Sequence, residues 1–246
     1  MTSLFAAALA MRFLVTAGPT REFIDPVRFI SNPSTGRMGF AVARAARQAG
    51  HDVTLVTGPV SLRTPKGVRR VDVVSAMDMM RAVESEDYDC IVATAAVADW
   101  RPAHCAAAKL KKAEMSGSLE LVRNPDILKT AVAGCRRRRG CKVFIGFAAE
   151  TGEPTAEAAR KCREKGLDLV VANDVTDPGS GFGTGTNRVS FVSADGRVER
   201  LPLMSKQSVA RRIVRLAVAA AEAKSAGADP CRRMCAPRRG KEPSHA

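Results

Sequence analysis

RFLVTAGPTREFIDPVRFISNPSTGRMGFAVARAARQ, residues 12–48, decides how the chain is read. It opens on a β-branched and aromatic run, Phe13-Leu14-Val15, and ends on an Ala-rich run of helical period, residues 40–48. Between them lies a strand-to-helix loop, residues 16–39. Loops longer than about 12–15 residues inside a compact domain are uncommon and usually functional. This one carries Arg21, Arg28 and Arg37, the glycines Gly18, Gly36 and Gly39, and many short hydrogen-bonding side chains. That mixture suits a phosphorylated or carboxylated ligand. Proton-transfer chemistry fits it poorly. It has no His, Cys or Lys, and its carboxylates, Glu22 and Asp25, have arginines nearby to keep them ionised.

Beyond this unit the pattern alternates. Near-continuous apolar runs at 12–16, 52–57, 89–95, 142–148 and 168–172 read as strands buried on both faces of a parallel sheet. Helical stretches fall at 37–48, 76–85, 125–133 and 155–165. The expectation is an α/β fold: a doubly wound, Rossmann-like, mainly parallel sheet with helices on both faces. Such sheets bind ligands at the carboxyl ends of their strands. Asp195-Gly196 between runs 187–192 and 198–203 predicts a C-terminal β-hairpin, appended to one sheet edge or making a protomer interface. A final helix is predicted over 206–224, and residues 103–118 read as a flexible, basic flap.

At 246 residues the chain accommodates one large α/β domain or two small ones. The boundaries read are an N-terminal extension, 1–10, a domain, 11–223, and a basic disordered tail, 224–246. The net charge is +14, and the tail holds six Lys/Arg against two Asp/Glu. The excess on the remaining body reads first as a solvated face or a generally basic proteome, and more sharply as attraction of polyanionic small molecules. One Trp and one Tyr argue against stacking platforms for single-stranded nucleic acid. Seven scattered cysteines form no C-x-x-C pair and read as free thiols of a reducing cytoplasm. Residues 1–10 lack the basic start of a signal peptide. No run reaches the ~18 apolar residues of a membrane span.

The first strand–loop–helix unit lacks G-x-G-x-x-G, and the second strand ends in Thr57-Gly58 rather than an acid for a ribose. Ser34-Thr35-Gly36 is read as capping a helix whose N–H groups and dipole favour an anion. After the third strand, small residues 95–98 leave room for a flat ligand, with Asp99 placed for a sugar, a base or a metal's water shell. In the flap, Lys109 and Lys111 share a face when extended. Asn124-Pro125 reads as N-cap and first helical position. Phe147 ends the fourth strand, where an aromatic can pack on a nucleobase. Lys161 and Lys165, four apart, share a helix face within reach of a triphosphate. The three histidines, 51, 104 and 245, make no triad.

Taken in order, TAGPTRE–IDPVRFISN–STGRMG, VTLVTGPVSL, AAVADWRP, KLKK, NPDIL, GFAAET, LDLVVANDV and GFGTGTNRV resemble the phosphopantothenoylcysteine synthetase (phosphopantothenate–cysteine ligase) family. In many bacteria this is the second half of a bifunctional coenzyme A biosynthesis protein. Thr35 and Arg37 stand where Ser and Lys are usual, and Arg37 keeps the charge but not the geometry of Lys. The flavin-containing decarboxylase half is missing, so no flavin is expected, and a separate decarboxylase is a candidate partner.

The resemblance implies that 4′-phosphopantothenate is activated by a nucleoside triphosphate to an acyl-nucleotide. L-cysteine then displaces the nucleotide. It implies Mg²⁺, CTP in preference to ATP, and a homodimer. It places Asn32 on the residue that holds the intermediate and supports attack by cysteine, and Arg28 on the substrate site. Lys109 falls on the lysine that stabilises charge during activation. Lys109 also falls, with Ala93, Thr94, Ala95, Asp99, Pro125, Asp126, Ile127, Leu128, Phe147, Lys161 and Lys165, on nucleotide-binding positions. Metal ligands are unassigned. The rival readings are an NADP-dependent oxidoreductase, weakened by the absent fingerprint and absent Tyr-x-x-x-Lys pair, and a basic RNA-binding protein, for which no motif stands.

Overall fold

The computed structural model describes residues 10–112, 117–137 and 142–226, with the side chains of 136 and 137 left aside. Eight strands form one sheet in the order β13-β12-β10-β9-β6-β1-β4-β5. Six run parallel: β1 (Arg12–Ala17), β4 (Asp52–Thr57), β5 (Arg69–Asp72), β6 (Cys90–Ala93), β9 (Val143–Glu150) and β10 (Leu169–Asp174). The predicted hairpin, β12 (Ser190–Ser193) and β13 (Val198–Arg200), is appended antiparallel to the β10 edge, turning at Gly196 with φ 84°.

Alternate residues of β1 divide the core. Phe13, Val15 and Ala17 pack with α1 (Arg37–Gln48) and α5 (Lys206–Ser225) on one face. Leu14 packs with residues of α2 (Ala76–Ser85), α3 (Ile127–Arg137) and α4 (Thr155–Lys165) on the other. The fold is thus doubly wound, as expected. Three predicted helices, α1, α2 and α4, keep their bounds. α3 starts at Ile127, because Asp126, not Asn124, caps it: Asp126 Oδ1 accepts the Lys129 N–H at 3.0 Å. Asn124 is used elsewhere, donating to Ala98 O at 2.8 Å and accepting from Arg101 at 3.0 Å. α5 continues through Ser225, so Lys224 belongs to the fold, donating to Asp168 at 2.8 Å. Residues 1–9 and 227–246 lie outside the described residues.

The long loop after β1 is not structureless. It contains a small antiparallel pair, β2 (Arg21–Phe23) and β3 (Phe29–Ser31). Glu22, buried in β2, accepts the Ala76 N–H at the start of α2 at 2.9 Å. The predicted flap grows from a second pair, β7 (Trp100–Pro102) and β8 (Leu121–Arg123); its residues 113–116 lie outside the described residues. A third short pair joins β11 (Thr186–Asn187) to β14 (Met204–Ser205) ahead of α5.

Chain connections move outward from β1 in one direction through β4 and β5, and in the other through β6 and β9. The topological switch point therefore lies between the carboxyl ends of β1 and β6, where a crevice must open. There the chains after the two strands pair once more, Pro19 with Ala96. Gly39 lets α1 approach this point closely. A Cβ there would sit 2.5 Å from both the Ala17 Cβ and the Thr94 Oγ1.

Candidate active site

Two cavities flank the switch point, one on each face of the sheet, and share Ala95, Ala96 and Phe147. The first lies toward α3 and α4 and encloses about 290 Å³. Its lining includes Ala93, Ala95 and Asp99 from the β6 exit, Pro125–Leu128 at the start of α3, Phe147 of β9, and Lys161 and Lys165 of α4. Segments far apart in sequence thus converge on one cleft, and ten of the twelve positions named for a nucleotide line it. The exceptions are Lys109, in the flap, and Thr94. Strand alternation turns Thr94 to the opposite face, where its hydroxyl donates to Thr16 O at 2.6 Å.

Both lysines in this cleft already have carboxylate partners. Lys161 pairs with Glu150 at 2.7 Å and Lys165 with Asp126 at 2.7 Å. Burial pushes the Asp126 carboxyl up, but Lys165, the Lys129 N–H and the nearby lysine charges outweigh it and hold it below the usual carboxylate range. Asp99 is exposed and its carboxylate makes no ion pair or hydrogen bond among the described residues. Arg101, its nearest candidate partner in sequence, is bound instead to Arg123 O and Asn124.

The second cavity, about 120 Å³, lies against the N-terminus of α1. Ser34 through Gly39 line it, with Asn173, Gly181, Phe182, Asn187 and Lys206 opposite. Gly36 enters the helix in the left-handed region at φ 76°, and no side chain caps the first turn. The expected capping role of Ser34-Thr35 is therefore not seen. Ser34 Oγ accepts only from the Gly36 N–H, at 3.4 Å, and the helix start is left facing the cavity.

Lys206 is 7 % exposed. Its ammonium donates to Gly181 O at 2.7 Å and Thr184 O at 2.9 Å and has no carboxylate partner among the described residues. Burial lowers its pKa, and the like charge of Arg37 lowers it further. Among the described residues no acidic side chain lines this cavity. Sequence reasoning missed Lys206. The available signal was its place at the first position of α5, where a cation opposes the helix dipole and needs another reason to be there.

The remaining predicted residues lie at the margins. Asn32 donates to Ala96 O at 3.1 Å, at the point the two cavities share. Asn32, Arg28 and Lys109 themselves line neither cavity. Arg28 is bound to Asp25 and to Leu110 O, and the Lys109 side chain is exposed. Among the described residues no group of three or more His, Cys, Asp or Glu forms a metal site, and no helix is long and apolar enough to cross a membrane.

The crevice at the switch point of this open α/β sheet brings together a Phe, a lysine pair and a helix N-terminus, groups whose chemistry suits a phosphorylated ligand. Comparison with known proteins narrows this. The chain belongs to the family described as the DNA/pantothenate metabolism flavoprotein C-terminal domain, whose model matches residues 9–220.

It is 46% identical over 209 residues to the coenzyme A biosynthesis bifunctional protein CoaBC of Vibrio cholerae, covering 83% of this chain and 51% of that one. It is 47% identical over 204 residues to CoaBC of Bacillus subtilis, covering 82% and 49%. The chain thus spans about half the length of the curated relatives it matches. A crystal structure of the C-terminal domain of CoaBC superposes with a TM-score of 0.68 at 42% identity, covering 83% of this chain and 92% of that one. A Cab2 mutant in complex with phosphopantothenate-cysteine shares the fold, with a TM-score of 0.69 at 16% identity, over 87% of this chain and 88% of that one. The resemblance read from the motifs, to the ligase half of the bifunctional protein, is borne out.

Proposed function

We propose that this chain joins 4′-phosphopantothenate to L-cysteine in coenzyme A biosynthesis, by way of an acyl-nucleotide. The observation that carries the proposal is the convergence of the β6 exit, the α3 start, Phe147 and the α4 lysines on one cleft, next to a cation-lined cavity, with Asn32 at their junction. In the first step the carboxylate oxygen of phosphopantothenate attacks the α-phosphorus of the nucleotide, and pyrophosphate leaves. In the second, the cysteine amine attacks the acyl carbon, the nucleoside monophosphate leaves, and a proton is lost. Neither step needs a strongly basic side chain, and the site offers none.

The nucleotide occupies the cleft, its base against Phe147 and its phosphates toward Lys161 and Lys165. Breaking the Lys–carboxylate pairs exchanges one anion for another. Mg²⁺ favours phosphate oxygens with one or two carboxylates. Asp99 fits that donor set, being a carboxylate without a partner on the cleft wall. The metal would supply neutralisation of phosphate charge. The phosphorylated end of the acid suits the second cavity, where the α1 N-terminus, Arg37 and Lys206 provide positive potential without a competing carboxylate.

Asn32 holds the intermediate and supports attack by cysteine, and Lys109 steadies charge during activation. CTP is favoured over ATP by the resemblance. The outermost strand β13, with Val198 exposed, is the candidate edge for a homodimer; light scattering at micromolar concentration that gives a monomer mass would count against it. A separate decarboxylase would take the product.

The test is to incubate the protein with phosphopantothenate, Mg²⁺ and CTP or ATP, with and without cysteine. Pyrophosphate is expected, and amide product only with cysteine. No pyrophosphate with either nucleotide sinks the reading.

A further inference from the structure

Asp25 lies in the turn between β2 and β3, and its residue exposure is 0%. Its Oδ1 accepts the N–H groups of Val27 at 2.9 Å and Arg28 at 2.8 Å, which closes the turn. Its Oδ2 faces the other way. It accepts the Arg28 Nε–H at 2.9 Å, a further bond from Arg28 Nη2, and the backbone N–H of Leu110 at 3.2 Å. The same Arg28 Nη2 donates to Leu110 O at 2.9 Å. One turn away, the Ala106 N–H donates to Ile24 O at 2.9 Å.

Both backbone polar groups of Leu110 are therefore held from a hairpin some 85 residues earlier. Leu110 follows Lys109 directly. Five N–H donors converge on one buried carboxylate, those of the Arg28 side chain first among them, and together they hold it well below the usual carboxylate range despite burial. Such an arrangement persists only if the carboxylate stays charged and the segment stays docked. Nothing in the ligase chemistry requires Asp25 to touch a substrate, and it lines neither cavity.

We propose that Asp25, acting through Arg28, is a positioning residue that latches segment 106–110 to the β2–β3 turn and so sets where Lys109 stands. The inference rests on the activation role given to Lys109 above, but the latch itself is a structural claim with its own readout. It also changes the place of Arg28, which acts on the reaction by holding the peptide next to Lys109.

Hydrogen–deuterium exchange of the ligand-free full chain tests the latch without any assay of activity. Asp25→Asn removes the charge and leaves the size. Peptides covering 104–112 should exchange at least tenfold faster in this variant, while peptides from β1 and β4 keep wild-type rates. Unchanged exchange in 104–112 overturns the proposal. If Asp25→Asn fails to fold, Arg28→Gln carries the same prediction, because it removes the guanidinium held between Asp25 and Leu110 O while the Asp25 turn bonds remain.

Kinetics supply the second arm. Asp25→Asn should slow pyrophosphate formation in the wild-type background, yet add no more than twofold to the loss already caused by Lys109→Ala. Multiplying losses in the double variant would mean that Asp25 does not act through Lys109, and would overturn the proposal. Selective exchange in 104–112, in a protein that makes no pyrophosphate even as wild type, would uphold the latch and refute the ligase reading instead.

Discussion

The two cavities on either side of Phe147 treat charge in opposite ways. Toward α4, each lysine already has a carboxylate: Lys161 with Glu150 and Lys165 with Asp126. Toward α1, Lys206 is held by carbonyl oxygens and a hydroxyl, and Arg37 stands beside it. A ligand phosphate entering the first cleft must replace a carboxylate. One entering the second meets positive potential that nothing offsets. On the proposed reading, the first arrangement would select ligands that bring enough charge, and a metal, to displace both carboxylates. The second gives affinity for a smaller, fixed anion. On that reading, this difference would let the carboxyl end of one sheet hold two phosphorylated ligands without confusing them.

The comparison can be broken most severely at the junction. Asn32→Ala removes the side chain that ties the β3 exit to Ala96. Loss of a positioned donor in an acyl-transfer site costs about 10²–10³ in rate. Pyrophosphate should still form, while amide product falls about 100-fold in single-turnover assays. Equal loss of both steps would remove Asn32 from the second step.

Lys206→Met tests the charge asymmetry. It should raise KM for phosphopantothenate about tenfold, equivalent to about 1.4 kcal/mol, and leave KM for the nucleotide within twofold. Discrimination between phosphopantothenate and unphosphorylated pantothenate should shrink by the same factor. A parallel rise for both acids would show a structural role only. Phe147→Ala should raise the nucleotide KM about five- to tenfold, in line with about 1 kcal/mol or more for a base stacked on an aromatic ring. An unchanged KM would leave the base elsewhere.

The smallest effect belongs to Lys165→Met. The pair it breaks is partly exposed, so thermal stability near pH 7 should fall only slightly. Its pH signature is more telling. The folded-state pKa of Asp126 is lowered, so the contribution of the pairing is complete above about pH 4 and is lost as the pH falls through the folded value. The acid-side drop in melting temperature should therefore be shallower in Lys165→Met than in wild type. An identical acid limb would show that Asp126 is held down by other groups.

Much of this was legible in the sequence because the signals were strong and local. Residues 52–57 read as a near-continuous apolar strand and are one; residues 155–165 run at helical period from Thr155 to a left-handed Gly166 and are a helix. The cleft was legible because its residues sit in ordered motifs at strand exits. What escaped was decided at long range. β2 and β3 are three residues each, and their pairing depends on Asp25, Arg28 and a segment 85 residues away. Asn124 reads as a cap by composition, but Arg101 and Ala98 O claim its side chain first. Lys206 joins the site only because the loop carrying Gly181 and Thr184 folds back over the α1 N-terminus.

The central claim is that the acid is activated at the α-phosphorus and the nucleotide is then displaced by an amine. The most direct test uses phosphopantothenate labelled with ¹⁸O in its carboxylate, with cysteine, Mg²⁺ and the preferred nucleotide, and mass spectrometry of every phosphorus product. One ¹⁸O atom should appear in the nucleoside monophosphate and none in pyrophosphate. Label in orthophosphate with an unlabelled nucleotide would mean attack at the terminal phosphorus and would contradict the account.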